Sequence, residues 1–559
     1  MESVKKAWNF TINNPKGQLL PLVLILAVAG YFYLHNLGTD YITLWDEAVH
    51  INVVKNLSQD PWPPKLHLTD IGIDFQDWTN NYVWVHKPLA PLYLQAVFYK
   101  ISPTLFAFRL PAVLFALMSI IALFFVARRH FSYQAGIIAS SLFAFNSYVF
   151  EQVKGRQFSG LHDLMFIFFG ILALDRILKI VNDRSRKNYL WFGLFVGLGF
   201  LSKGGLALFF FPVLLIISLA AQGRKQAILN FLYAALVALA IVFPEKLVLL
   251  LLYPQEYFFE QNLQSLHLFK DLEYWGRPWD YYFTVYMRDL FLPYLYLPTL
   301  FGVVFGAYRS RIDKRLLVLV IWVLSFVVPL SFGLTKISNF IFAAMPAILI
   351  LLALMFEYLW SQKKYAVMFG LSATAVLSYA IIRLDLWRVK YHFFQDETAF
   401  QRFAILIYAG LAFAALWIIF RILEKFWSLG VLSKGLAVLS IFLILGTYAR
   451  ANQLSDLKAK DDDQYQQQVK AAALEARGKY PKNAIFLLHY PKLLKSHLYF
   501  QYWSGLDAME IYDRQPIFIL KRTLPQNRPL FVLSIGPLKA LDLELIQKQD
   551  FGYVYRLKL

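Results

Sequence analysis

Two charged pairs frame one stretch of this sequence. Asp46 and Glu47 stand side by side near its start, and His86 and Lys87 stand near its end. Both pairs border apolar runs. An acid at such a junction can take a proton from an acceptor hydroxyl within hydrogen-bond reach. Its oxygens can also hold a divalent cation. Lys87 precedes Pro88 and an apolar run, so its stem can lie on an apolar surface while its ammonium meets a phosphate. Asp46 and His50 are four residues apart and share a face if the segment is helical. With His86 they are the candidate ligands for a metal, although so few residues do not define a site. Trp45 suits either a substrate cavity or an interfacial anchor. For an isolated acid pair, the plainer reading is a solvated loop at a membrane surface.

Further groups weigh against that plainer reading. His162 and Asp163 lie a few residues inside the apolar run LHDLMFIFF. Ionisable groups inside spanning segments are costly and usually face a cavity. Asp163 is therefore the second candidate acid, the alternative being a helix-end Asp that caps nearby backbone. Lys203 and Lys336 each fall at an outward helix end. Together with Lys87, Arg156 and Arg277 they indicate a cationic cavity suited to phosphate or pyrophosphate.

The elements that must position these groups are set by composition. The chain has 559 residues, 58% of them hydrophobic and 16% charged, no cysteine and a net charge of +19. A soluble domain carries about a quarter charged residues. Here the apolar excess falls in continuous runs of roughly twenty residues, the length of a spanning helix. Without cysteine there is no disulfide frame and no thiolate chemistry. The run Gln18–His35 is expected to be a retained first span with its N-terminus in the cytoplasm. Basic clusters then recur at Arg128–Arg129, Arg184–Lys187, Arg224–Lys225, Arg309–Arg315, Lys363–Lys364 and Arg421–Lys425. All fall on the cytoplasmic side of an alternating pattern of about thirteen spans. The spans are expected near 18–36, 105–126, 134–150, 160–180, 189–201, 204–221, 226–247, 290–308, 316–333, 338–357, 364–382, 401–421 and 429–448. The outward loops 37–104, 151–159 and 248–289 hold the candidate chemistry, and Ser202–Gly205 is a tight reversal. The expected fold is thus an α-helical polytopic membrane protein over 1–449. A small extracytoplasmic α/β domain follows over 450–559, with strand-like runs AIFLLH, FVLSI and YVYRLKL. Much of the positive charge lies in short loops, where it reads as orientation and not as nucleic-acid binding.

The order of these motifs resembles that of the GT-C membrane glycosyltransferases, in the branch of protein O-mannosyltransferases and lipid A aminoarabinose transferases. The landmarks are Trp45-Asp46-Glu47, Lys87-Pro88 followed by Tyr93, and Arg109-Leu110-Pro111. After them come Gly155-Arg156 followed by His162-Asp163, then Ser202-Lys203-Gly204. Arg277 to Tyr282 and Lys336 to Pro346 complete the series. Phe340 stands where that family usually has Tyr, and His86 where the lipid A branch tends to have Glu. The family's histidine near the Pro-aromatic segment is missing at Gly276. These departures argue against aminoarabinose as the sugar.

The resemblance implies transfer of a sugar from a polyprenyl-phosphate donor to a lipid, glycan or protein acceptor on the outer face of the inner (plasma) membrane. Asp46 would act as base, with Glu47 and Asp163 as the other catalytic acids. Lys87, Arg156, Lys203, Arg277 and Lys336 would meet the donor's phosphate and lipid. Trp45, His86, His162, Trp279 and Tyr282 would line the substrate cavity. Inversion at the sugar is expected of the class. No nucleotide is needed, in keeping with the lack of a phosphate-cradling Gly-rich loop. No cofactor is required by this reading, and a divalent cation on Asp46, His50 and His86 is left open. The rival readings are a lipid or glycan transporter or flippase, which would show two halves of matching hydropathy, and a polymerase that joins glycans on a lipid carrier.

Overall fold

The computed structural model describes residues 19–43, 45–70, 79, 81–156, 160–267, 269–271, 276–283, 296–364, 466–489, 496–510, 528–534, 543–549 and 552–557, with isolated positions near 370. The spans expected at 401–421 and 429–448, and most of that at 364–382, lie outside the described residues.

Through residue 361 the described chain is helical. It runs α1 (Leu20–Leu34), α2 (Asp46–Gln59), α3 (Ala90–Ile101), α4 (Leu105–His130), α5 (Tyr133–Ala144), α6 (Ser147–Val153) and α7 (Leu161–Ile180). Next come α8 (Arg186–Lys203), α9 (Phe210–Ala221), α10 (Arg224–Leu252), α11 (Pro254–Leu266), α12 (Tyr296–Arg309), α13 (Lys314–Phe332) and α14 (Met345–Ser361). Among the described residues, five stretches are long and apolar enough to cross a membrane: Leu105–His130, Arg186–Ala221, Arg224–Leu252, Lys314–Phe332 and Asn339–Ser361. The chain is a multi-pass membrane protein. Of the other expected spans within the described residues, those near 18–36 and 160–180 coincide with the shorter apolar helix α1 and with α7, which carries more charge.

Two local breaks shape the bundle. The span expected at 134–150 is divided at Asn146, whose side chain accepts the Tyr148 N–H at 2.9 Å and caps α6. The second is the reversal at Ser202–Gly205. Gly204 has φ +70°, a region glycine enters without a Cβ penalty. Beyond it the chain folds back: Tyr189 near the start of α8 and Ser218 near the end of α9 share a hydrogen bond of 3.1 Å. The apolar stretch 186–221 is therefore a hairpin.

α7 has two chemically different ends. Asp163 lies in its first turn and Asp175 near its last, about 18 Å apart at the helical rise. The basic loops gather at the Asp175 end, where Arg315 donates to the His130 carbonyl and Ser132 Oγ donates to Glu357 at 2.5 Å. The candidate acids and lysines gather at the other.

The C-terminal region holds a helix over 466–479 (α15), then β1 (Ile485–His489), α16 (Ser496–Ser504), β2 (Asp507–Glu510), β3 (Leu530–Ser534), β4 (Leu543–Gln549) and β5 (Gly552–Leu557). The sheet order is β2-β1-β3-β5-β4, parallel across β2-β1-β3 and antiparallel across β3-β5-β4. This sheet and α16 rest on α2. Asn52 Nδ2 donates to the Leu498 carbonyl at 2.8 Å, and Gln501 Nε2 donates to the Leu66 carbonyl at 2.7 Å. Gln466 clasps both backbone groups of Ile42, accepting at 3.2 Å and donating at 2.6 Å. Lys55 Nζ reaches the Tyr502 carbonyl at 2.8 Å, and burial brings its pKa down to about 8. Val49, Val53 and Val54 share an apolar cluster with Leu498, Tyr499 and Phe500.

Asn52 is buried and bonded to two carbonyls, so Asn52→Leu strands polar groups away from water. The expected loss is about 1–3 kcal/mol. Thermal unfolding of the purified protein measures it, with the exposed Gln59→Ala as a neutral control.

Candidate active site

α2 begins where the chain turns sharply. Trp45, just before it, has φ 92° and ψ −121°, a conformation costly for a bulky residue and held by its surroundings. Asp46 and Glu47 then occupy the first turn, where the helix dipole favours negative charge. Neighbouring residues on a helix point about 100° apart, and the two acids part accordingly.

Glu47 turns to Arg109 on α4. Arg109 Nε donates to Oε1 at 2.6 Å and Nη2 to Oε2 at 3.2 Å, a bidentate pair. The Thr43 N–H adds a bond to Oε2 at 2.8 Å. The rest of the guanidinium is bonded to the carbonyls of Leu37, Thr39 and Tyr41. Gly155, at φ +69°, lies so close to the Glu47 carboxylate that any Cβ there would collide with Oε1. Arg156, the next residue, is half-buried, and its N–H donates to the Glu151 carbonyl at 2.9 Å. A cavity of about 20 Å³ beside Glu47, His50, Gln95, Arg109 and Gln152 has room for one water.

Asp46 turns to Lys87 instead, with Nζ to Oδ2 at 2.6 Å. Burial alone would raise its pKa. Lys87, then His50 and more distant Lys203, outweigh burial and hold the carboxyl well below the usual carboxylate range. A second ion pair stands behind the first: Lys203 Nζ, at the end of α8, lies 2.6 Å from Asp163 Oδ1. Asn339 Nδ2 donates to the other Asp163 oxygen at 3.1 Å. Between the pairs, the rings of His50 and His162 stack with centroids 4.5 Å apart. His162 Nε2 lies 3.3 Å from the Pro88 carbonyl oxygen, the residue after Lys87. Burial first, then His162 and Lys87, push the His50 pKa well below its ordinary value, so His50 is neutral. The cluster thus holds two carboxylates, two ammoniums and two stacked imidazoles at one end of the helices.

Other candidates lie apart from this cluster. His86 Nδ1 is 2.5 Å from Glu260 Oε2 on α11, and Gln264 donates to its carbonyl at 3.3 Å. Trp84 stands between His86 and His50, with centroid separations of 5.3 and 6.1 Å. Asp46, His50 and His86 therefore do not converge on one ion. Among the described residues no three His, Asp or Glu side chains group as metal ligands. Lys336 donates to the carbonyls of Arg277, at 2.9 Å, and Gly333. Tyr282 is buried and donates to the Ile337 carbonyl at 3.0 Å, whereas Arg277 and Trp279 are exposed. Lys336 and Tyr282 thus brace the segment that carries Asn339 to Asp163. Sequence reasoning passed over Asn339 and Glu260. Asn339 lies within the KISNFIFAAMP motif, where a lone amide in an apolar run was the available signal.

Arg109→Ala leaves Glu47 buried without its cation, and such losses run to about 3–5 kcal/mol. Thermal unfolding should show this drop, with Arg109→Lys recovering only part because it cannot bond both oxygens. Asp46 adds a pH signature. Its lowered folded-state pKa makes its stabilising contribution complete above the unfolded value near 4 and lost as pH falls below it. Asp46→Asn should flatten that acid limb of the stability profile.

Comparisons with known proteins agree with this architecture. Residues 86–247 match the family of dolichyl-phosphate-mannose-protein mannosyltransferases. No curated protein sequence matches the chain. Among solved structures, the chain is similar to ArnT from Cupriavidus metallidurans bound to undecaprenyl phosphate. The identity is 14% and the TM-score 0.62, over 96% of this chain and 97% of that one. The apo form of ArnT gives 15% identity and a TM-score of 0.61 over the same shares. A more distant likeness is to the oligosaccharyltransferase AglB from Archaeoglobus fulgidus, at 12% identity and a TM-score of 0.46, over 92% of this chain and 69% of that one. The chain therefore has the fold of ArnT, a GT-C glycosyltransferase, and its residues 86–247 carry the sequence pattern of the mannosyltransferase family.

Proposed function

We propose that this protein transfers a sugar, hexose or pentose, from a polyprenyl-phosphate donor to a lipid, glycan or protein acceptor, with inversion, on the outer face of the inner (plasma) membrane. The N-terminus then lies in the cytoplasm and the C-terminal sheet outside. The observation that carries this reading is the Asp46–Lys87 pair, backed by Asp163–Lys203, at one end of the membrane helices. The undecaprenyl phosphate bound to the similar ArnT structure supports the donor class.

In this reaction the donor's phosphate meets Lys87, with Lys203 behind it. The acceptor hydroxyl gives its proton to Asp46 as its oxygen attacks the anomeric carbon. The bond from that carbon to the phosphate oxygen breaks, and the lipid phosphate leaves with the electron pair. The Lys87 ammonium, with that of Lys203 behind it, stabilises the charge it gains, as cationic clamps on departing phosphoryl groups do. Glu47 acts through Arg109 to fix α2, and so positions Asp46. Among the described residues no group of metal ligands forms, and the steps above are carried by the protein's own side chains.

The test incubates purified protein in lipid with a panel of radiolabelled polyprenyl-phosphate sugars and candidate acceptors. Asp46→Asn should lower transfer by about 10²–10⁴-fold. Because it also leaves Lys87 without its carboxylate, transfer is assayed well below the variant's own lowered unfolding temperature. Transfer retained in that variant would remove Asp46 from the base role. Movement of intact lipid-linked sugar across the membrane, with no transfer product, would favour a flippase.

A further inference from the structure

A second site lies at the opposite end of α7. Between α4 and α7 runs a groove of about 440 Å³, lined by Met118, Ile121, Phe125, Phe168 and Leu172. Its polar end is closed by Arg129, Asp175 and Arg176. Asp175 is buried and collects four cationic or titratable partners. Arg129 Nη1 and His130 Nε2 each lie 2.9 Å from Oδ1, Arg176 bonds Oδ2, and Lys179 Nζ is 3.4 Å from Oδ2. At the groove mouth Arg129 and Arg176 face the single carboxylate of Asp175, which leaves one positive charge in excess there. The Arg129 side chain is 52% exposed, so part of that charge faces outward.

We propose that this groove holds an anionic phospholipid, its acyl chain against the apolar wall and its phosphate on Arg129 and Arg176. The lining and the charge together select this occupant. The apolar wall suits any acyl chain, and the surplus charge at headgroup depth complements an anionic head. A zwitterionic head would bring an ammonium of its own toward that surplus. Asp175 serves as the fixed post that holds both guanidiniums at the mouth, in place of the loose snorkelling usual for arginines at a bilayer edge. The cytoplasmic leaflet is the anionic one, and the sequence pattern places this basic end there. The site is remote from the Asp46 cluster and makes no use of the transfer reaction.

The purified protein is titrated with phosphatidylglycerol or with phosphatidylcholine in detergent, and retained lipid is counted by native mass spectrometry. Phosphatidylglycerol should be retained in preference. Arg129→Gln and Arg176→Gln should each weaken it about fivefold, and Arg129→Lys should keep most of the affinity. Ala122→Trp, which fills the groove and leaves the charges in place, should abolish retention. Equal retention of both lipids, or no change in Arg129→Gln, would overturn the proposal. Displacement by inorganic phosphate alone would also overturn it, because the acyl chain would then contribute nothing. Arg129 is half-exposed, so the Gln and Lys variants decide the question even where Ala122→Trp does not fold.

Discussion

Charge brought to the edge of a membrane must be neutralised where it sits, and this protein is arranged around that requirement. Asp46 with Lys87, Asp163 with Lys203, and Glu47 with Arg109 form three pairs at one end of the helices. Each pair joins segments distant in sequence. Together they tie α2, the lead into α3, α4, α7 and α8 to a common end. Buried pairs add little net stability over well-packed apolar groups, but a broken pair leaves an uncompensated charge. Their effect is therefore to select one arrangement of helices over its alternatives.

Much of the site was legible residue by residue, and little of it pair by pair. Asp46, Lys87, Asp163 and Lys203 stand out because each interrupts or borders an apolar run. The turn at Lys203-Gly204 is readable from its glycines. What adjacency could not reveal is which acid of the Asp46-Glu47 pair meets a lysine, because the helical turn sends one to Lys87 and the other to Arg109. His86 looked like a possible ligand for want of its partner, Glu260, which lies on a helix of the distant loop. In the C-terminal region β1, β3 and β5 are apolar and β-branched or aromatic enough to read. β2, with the sequence DAME, and β4, LELIQKQ, flank the sheet at its edges. There polar residues are tolerated and propensity is a weak guide.

α2 shows the same limit at the level of packing. Its sequence mixes charge, amide and aliphatic residues, a composition suited to a surface helix. Nevertheless Asp46 through Val54 are all buried. The reason lies more than four hundred residues away in the chain: α16 and the sheet cover one side, as the bonds from Asn52 and Gln501 show. The C-terminal region therefore does more than follow the membrane part. It holds the helix on which the candidate base stands, so its packing and the position of Asp46 are one problem.

That position carries a chemical contradiction with a physical resolution. A carboxylate held well below its usual pKa by a lysine at 2.6 Å is a weak base. Were that pair permanent, Asp46 could take no proton from an acceptor of ordinary acidity. In the proposed reaction the pair is not permanent, because the donor's phosphate competes for the same ammonium. Once Lys87 turns to phosphate, Asp46 loses the largest influence that opposes its burial, and burial raises its proton affinity. The Asp163–Lys203 pair does not exchange in this way, since Asn339 also holds Asp163. It keeps a fixed charge behind the mobile one. Donor binding would thus create the base that the acceptor needs, and would do so only when a phosphate is in place. Such coupling places donor before acceptor and leaves the resting site neutral and unreactive.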